Sequence, residues 1–581
     1  MATRFPMPEA QTGPPHPGLL EKLLHQVRTG GLDDARMTLT ALGVPEPADS
    51  GRWSDRNGSV FLVAGQPIYR NANYIRFVTL AAEVYDQFGF KKLAAQCLRS
   101  RNLQTEVDRD LEESSSTSNV IDRNIHPDEW RLLRQKLYFW LQIARVAYRE
   151  NDCEWARTCV QRVLEISKKL DPKSEGLIAD AHFRLAAIAR QESRLNDAIE
   201  SYGECLTSAF ELLKQQHKCT DPLSPEGTLA ARYLIGKSTA LGLGYCFIEK
   251  GMLREARVAI VSGEILLWET KDRLNLQYCE LLFARLLRHQ AGRDPQNSGL
   301  LDQAREMLQS CMKVCTGHRP RFVYRVHYEL GFVDLYSGEF GEAEGNFKKV
   351  LKAATDGNDS RWMANATVAM ARLRFYQAQA ARSEEDSQAL LKDSLQLAIK
   401  AEAIAATGAL RWGRGRAILM QARAEISLAA LTLTPTETCR SLRDSAKEHL
   451  HTVLQMADLS NPAVRALPVL LLARLGHSEG NSPQARRHLD EWLAMKDQVQ
   501  YAAIQALGAE VTREIMQQQK FVDIAAMPDD ELNKEELVLE LERYIFQRLE
   551  ARKDLTDEEK AHLWGGARTS YLRRRKQVVG F

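Results

Sequence analysis

The sequence predicts an all-α chain, an α-α superhelix of stacked helical hairpins with a small C-terminal three-helix domain. Three observations point there. Small and large apolar residues return at fixed spacings along most of the 581 residues. Turn-forming residues fall between the helical segments so defined. The last stretch switches to a short, strongly basic helical pattern. A chain of this length would otherwise make three or four domains of about 150 residues, but a repeat array escapes that limit because each unit contacts only its neighbours.

The repeat is read from spacing. Trp140, Ile143, Ala144, Ala147, Ala156 and Val160 occupy relative positions 4, 7, 8, 11, 20 and 24 of a two-helix unit. The same spacing returns at Leu185, Ala186, Ala189, Ala198 and Tyr202, at Leu243, Gly244, Phe247, Ala256 and Ile260, and at Leu330, Gly331, Ala343 and Phe347. Weaker copies lie at Ala81, Ala82, Tyr85, Ala94 and Leu98, and at Leu472, Ala473, Ala485 and Leu489. The small residues let the two helices of a unit approach closely, and the large residue at the last position fills the gap between hairpins. Turns are expected at Glu150–Asp152, Ser193–Asn196, Lys250-Gly251 and Ser337-Gly338.

These residues resemble the tetratricopeptide-repeat (TPR) family, whose period is about 34 residues, over roughly residues 75–515. The family's helix-closing proline is mostly absent, and extra stretches intervene at Gln215–Glu226 and Asp294–Gly299. The units are therefore degenerate TPR-like hairpins. Leu301–Cys311, Trp362–Ala381, Leu390–Ala406 and Gly415–Ala430 fit by helical periodicity alone. An α-α superhelix of another type predicts almost the same architecture.

The expected domains are a tail over 1–17, a helical hairpin and loop over 18–74, the solenoid over 75–519, a linker over 520–536 and a basic helical domain over 537–581. Leu19–Val27 and Leu32–Leu42 form the hairpin across Gly30-Gly31, Val44–Ser59 is a loop, and Val60–Val63 is a short strand or apolar anchor. Leu111–Ile125, with its serine run, reads as a mobile linker or a surface loop.

Composition excludes several classes. Net charge is +2, from 78 basic and 76 acidic residues, so bulk electrostatics do not make the chain a nucleic-acid binder. No apolar run approaches the ~18 residues of a membrane span. Met1–Pro17, with Pro14, Pro15 and Pro17 and no apolar core, does not read as a signal peptide, so the expected location is cytoplasmic. The ten cysteines form no Cys-x-x-Cys pair. Cys311, Cys315 and His318 lack a fourth ligand at zinc spacing, and core cysteines are the expectation.

Catalytic motifs are not found, so no enzyme and no cofactor are expected. Gly236-Lys237-Ser238 ends like a phosphate-binding loop, but Ala231 stands where the first glycine belongs, which makes the stretch a helix surface. His449 and His451 are two apart and face different sides of a helix. Gly242-x-Gly244 lacks the rest of a dinucleotide fingerprint. What a solenoid offers is a concave groove walled by first helices. Arg184, Arg232, Tyr233, Lys237, Arg325, Tyr328, Arg372 and Phe375 are the candidate residues for a protein or peptide partner. The plainer reading makes these arginines a solvated helix face.

The tail is different. Ile524–Glu536 reads as a linker, and Leu537–Ala551 as an amphipathic helix. Thr556 and Glu559 form a capping box, a short helix ends at Trp564, and a basic helix follows the Gly565-Gly566 turn. The run Ala561-His562-Leu563-Trp564-Gly565-Gly566-Ala567-Arg568-Thr569-Ser570-Tyr571-Leu572-Arg573-Arg574 resembles the Fis-type helix-turn-helix of bacterial activators. That resemblance implies Gly565 at the turn, Arg568, Thr569 and Ser570 on base edges, and Arg573 and Arg574 on phosphates, with Arg575 and Lys576 beside them. Trp564, Gly566, Ala567 and the Tyr571-Leu572 order depart from the family pattern. The expected function is a regulator that binds a protein or peptide through its repeats, with DNA at the C-terminus and a homodimer as further candidates. The alternative is a scaffold or adaptor subunit whose basic tail is a docking helix.

Overall fold

The structure, a computed structural model of the chain, describes residues 127–149, 152–169, 175–218, 225–270, 272–315, 320–357, 359–408, 410–456, 461–525, 542, 546, 549, 556–564 and 567–579. The expected features at Leu19–Leu42, Val60–Val63, Ala81–Leu98 and Leu111–Ile125 lie outside these residues, as do His318, Gly565, Gly566 and most of 524–551. The chain divides into Met1–Ala509 and Glu510–Phe581.

The described residues of the first unit are helical hairpins in series, and no strand occurs among them. The hairpins are α1 (Pro127–Arg149) with α2 (Cys153–Lys169), and α3 (Glu175–Gln191) with α4 (Leu195–Lys218). Next come α5 (Pro225–Lys237) and α6 (Gly244–Glu249), joined by one π-helical turn over Ser238–Leu243, paired with α7 (Leu253–Glu269). Then follow α8 (Arg273–Ala291) with α9 (Ser298–Cys315), and α10 (Pro320–Ser337) with α11 (Phe340–Asp356). The last three are α12 (Ser360–Gln379) with α13 (Glu384–Thr407), α14 (Arg411–Ala429) with α15 (Thr436–Met456), and α16 (Pro462–Ser478) with α17 (Ser482–Met495). The segments that matched only by periodicity are thus helices as well.

Local chemistry starts and stops these helices. Asp272, Asp359, Ser383, Asn461 and Asn481 each accept a backbone N–H of the first turn, satisfying a donor the helix leaves open. Gly251, Gly338 and Gly480 end first helices at positive φ, where a side chain would be strained.

Close approach within the hairpins follows the small–large spacing. A Cβ on Gly331 would lie 2.5 Å from the Phe347 ring, and one on Gly244 would lie 2.7 Å from Ile260. Gly263 is tighter still, because its missing Cβ would sit 2.5 Å from both the Ala240 nitrogen and the Gly236 carbonyl. Backbone cannot swing aside as a side chain can, so α7 docks on the π turn through bare backbone.

The winding brings distant hairpins together. Gln500 donates its N–H to the Gly251 carbonyl at 2.8 Å and accepts from the Arg254 N–H at 2.9 Å. The Tyr501 hydroxyl bonds the Ile248 carbonyl. Arg361 on α12 reaches Gln191 at the end of α3 at 3.0 Å. First helices therefore face a common interior.

The helix α18 (Ala502–Ala525) includes the division at Ala509/Glu510, and the second unit holds α19 (Asp557–Trp564) and α20 (Arg568–Val579). The buried side chains of Phe546, Leu549, Ala561 and Tyr571 form its core, with Trp564 and Leu572 against them. Trp564 and Tyr571, two departures from the Fis-type pattern, are thus core residues here. The capping box forms as expected: Thr556 Oγ1 accepts the Glu559 N–H at 3.3 Å, and the Glu559 carboxylate accepts the Thr556 N–H at 2.8 Å.

Two helix glycines separate packing from propensity. Gly263→Ala should lower stability by about 1–3 kcal/mol through overpacking. Gly345→Ala on α11, with nothing within 4 Å of its Cβ, should raise it by about 0.5–1 kcal/mol. Thermal unfolding of both variants checks the opposite signs.

Candidate ligand-binding cavity

A cavity of about 410 Å³ opens inside the superhelix. Its walls come from first helices of seven successive hairpins, α1, α3, α5–α6, α8, α10, α12 and α14. The lining holds Arg145, Arg184, Arg190, Lys237, Arg285, Arg325, Arg361 and Arg416 against Glu249, Glu329 and Asp359, an excess of five positive charges.

A chain of ion pairs crosses the interior. The Glu249 carboxylate, at the end of α6, meets Arg285 of α8 and, at 3.3 Å, Arg416 of α14. Arg285 lies 3.8 Å from Glu329 of α10, and Glu329 pairs with the buried Arg288 at 2.9 Å. Burial works to raise the Glu249 carboxyl, but Arg285 and then Arg416 hold it below the ordinary value, so it is charged at neutral pH. Both glutamates are thereby occupied.

Three of the remaining cations, Arg190, Lys237 and Arg325, lie over aromatic rings. Lys237 Nζ lies 4.4 Å from the Phe183 ring centre and 5.3 Å from Tyr233. The Arg325 guanidinium lies 5.4 Å from Tyr278 and 5.7 Å from Trp362. Arg190 sits 4.4 Å from Tyr245 and donates to the Leu241 carbonyl in the π turn at 3.2 Å. The field is positive enough to act on neighbours. Burial would raise the Tyr148 hydroxyl, yet Arg190 and Arg361 bring it down to about 8.

Of the residues expected in the groove, Arg184, Tyr233, Lys237, Arg325 and Tyr328 line this cavity. Arg184 is paired with Asp180 at 3.1 Å. Arg232 is exposed and pairs with Glu269 at 3.0 Å, away from the lining. Arg372 lies over Phe332, Tyr336 and Tyr376, and Phe375 is buried; neither lines the cavity. Gly236 and Ser238, read from the sequence as helix surface, are buried packing residues: Gly236 faces Gly263 and Leu267, and Ser238 bonds the Cys205 thiol at 3.1 Å.

Sequence reasoning passed over Tyr148, Arg190, Glu249, Arg285, Glu329, Trp362, Asn365 and Arg416, all in the lining. One signal was legible: Trp412 and Arg416, four apart on one helix face, form a cation–π pair at 4.8 Å.

No protein-family model and no curated protein sequence matches the chain. Among solved structures, the chain is similar to a Rap protein complexed with competence and sporulation factor, at 8% identity and TM-score 0.41, over 76% of this chain and 98% of that one. It is also similar to the apo form of the quorum sensor NprR from B. thuringiensis, at 14% identity and TM-score 0.37, over 76% and 97%. A third is a signal-transduction ATPase with a tetratricopeptide-repeat sensor from Pyrococcus horikoshii, at 12% identity and TM-score 0.31, over 85% and 65%. The solenoid architecture is evident from the chain's own helix order.

Elsewhere, no helix of the described residues is long and apolar enough to cross a membrane, and no metal-binding group of side chains gathers among them. Cys311 is buried, with its thiol 3.1 Å from the Glu280 carboxylate. In the second unit, Arg568, Thr569, Ser570, Arg573 and Lys576 are exposed, whereas Arg574 is bonded to Glu542 at 2.6 Å and Arg575 is partly buried.

His289, beside this interior, gives a pH test. Its ring stacks on Tyr501 with centres 4.4 Å apart, and burial, then Arg288 and Arg285, hold its pKa well below the ordinary value. The unfolded chain takes up a proton below about pH 6.5 that the folded chain refuses, so stability falls as pH drops through that value. His289→Gln should lose less stability than the wild type between pH 6.5 and 5. Denaturant titrations at the two pH values check the difference.

Proposed function

We propose that the chain is a non-enzymatic regulator or adaptor that binds a protein or peptide segment in the concave cavity. The observation that supports this reading is the cavity wall itself. Successive first helices present guanidinium, aromatic and amide side chains toward one space, and these groups can pair with the side chains and backbone of an extended segment. The volume, about 410 Å³, lies within the roughly 300–1,000 Å³ of ordinary ligand sites, enough for a few residues of a longer partner.

A filled cavity tests the reading. Asn365→Phe places a ring in the lining on α12. Peptides selected from a random library should bind the wild type and lose about tenfold or more in affinity for Asn365→Phe, with the melting curve unchanged. Equal binding to both proteins contradicts a cavity site.

A second reading, duplex DNA binding by the C-terminal helices, is favoured by the division of α20. Tyr571 turns into the core while Arg568, Thr569, Ser570, Arg573 and Lys576 stay exposed. If the reading holds, a DNA anisotropy titration gives a steep salt dependence, and Arg573→Ala/Lys576→Ala flattens its slope by about 2. No binding at low salt contradicts it.

A further inference from the structure

We propose that the occupant of the concave cavity is an acidic peptide segment whose carboxylates dock on Arg325 and Lys237. This inference rests on the peptide-binding reading and adds the sign of the ligand. The pairing pattern in the lining supplies the argument. Glu249 and Glu329 are taken by Arg285, Arg288 and Arg416. Asp359 accepts the Trp362 N–H as a helix cap. A basic ligand would have to compete with arginines already paired to Glu249 and Glu329.

The cations are the opposite case. Neither Arg325 nor Lys237 forms an ion pair with a described residue. Arg325 Nε is buried with no hydrogen-bonding partner among them. The rings of Tyr278 and Trp362, and of Phe183 and Tyr233, fix the two cations in place. A cation–π contact positions a charge without neutralising it, and it leaves the N–H edge of a guanidinium free for the two oxygens of a carboxylate.

Two further points favour a peptide over a nucleic acid. Faces of the four rings are already covered by cations, so stacked bases would have to compete for them. The Asn365 side chain lines the same space, and its amide offers the donor and the acceptor that one peptide unit requires.

The test measures anisotropy of four short labelled probes at low salt: a Glu/Asp-rich peptide, a Ser/Gly peptide, a Lys-rich peptide and a single-stranded oligonucleotide. Every protein carries Arg573→Ala/Lys576→Ala, which keeps the C-terminal basic helix out of the measurement. The acidic probe should bind most tightly and weaken as salt rises. Arg325→Gln should weaken it about tenfold or more, Lys237→Gln should weaken it severalfold, and Arg232→Gln, outside the cavity, should leave it unchanged. Arg325→Lys, which keeps the charge but loses the fork, should fall between. Melting curves accompany each variant, and should Arg325→Gln fail to fold, Lys237→Gln decides.

The proposal is overturned if the Ser/Gly or Lys-rich peptide or the oligonucleotide binds as well as the acidic probe. It is also overturned if Lys237→Gln and a folded Arg325→Gln both bind the acidic probe like the wild type. A neutral or basic peptide that Asn365→Phe excludes would sink the acidic ligand and leave the peptide-binding reading standing. Failure of every library peptide to distinguish Asn365→Phe would sink that reading itself.

Discussion

The end of α6 is the point on which the winding of the solenoid depends. The Glu249 side chain ties α6 to α8 and α14 through Arg285 and Arg416. The backbone at the same place is taken up from the other direction, with Tyr501 on the Ile248 carbonyl and Gln500 on the Gly251 carbonyl. One helix terminus therefore holds a middle hairpin, a late hairpin and the segment after α17. A buried carboxylate is costly unless paired, and here its pairing requires the superhelix to close to this radius.

The same requirement shapes the interior. Once first helices converge, their side chains must fill a shared space, and the chain fills it with arginines over aromatic rings alongside aliphatic side chains such as Leu281 and Leu282. Arg288 over Phe332, Arg325 over Tyr278 and Arg416 over Trp412 repeat one device on three hairpins. Arginine suits it because its planar group stacks on a ring while its edge stays free to hydrogen-bond. Where an edge has a glutamate, the result is structural. Where it has none among the described residues, as at Arg325, the charge stands beside open volume with no acidic partner there, and that asymmetry gives the cavity its character.

Much of the fold was legible in the sequence, for a local reason. Gly331 and Phe347, or Gly244 and Ile260, are sixteen residues apart in a hairpin and touch because of that spacing, so the pattern repeats visibly. The hairpins around α12 and α14 showed only helical periodicity. In α14, buried residues such as Ala417, Met420, Ala422 and Ala424 face several neighbours, and no single stripe stands out. The cavity was legible only in part. Arg325 and Lys237 are cations on first helices and could be picked out as such. Arg232, five residues before Lys237, falls on another side of the same helix. The charge chain was hidden because Glu249 is 36 residues from Arg285 and 167 from Arg416, and superhelical winding, which no local pattern encodes, brings them together.

The central claim is that the interior surface of first helices, and not the outer surface of second helices, is where this protein meets its partner. Hydrogen exchange with and without a selected peptide tests it most directly. Added protection is expected in α8, α10 and α12, and none in their partners α9, α11 and α13. Protection confined to the second helices, or absent from α8, α10 and α12 at saturating peptide, would contradict it.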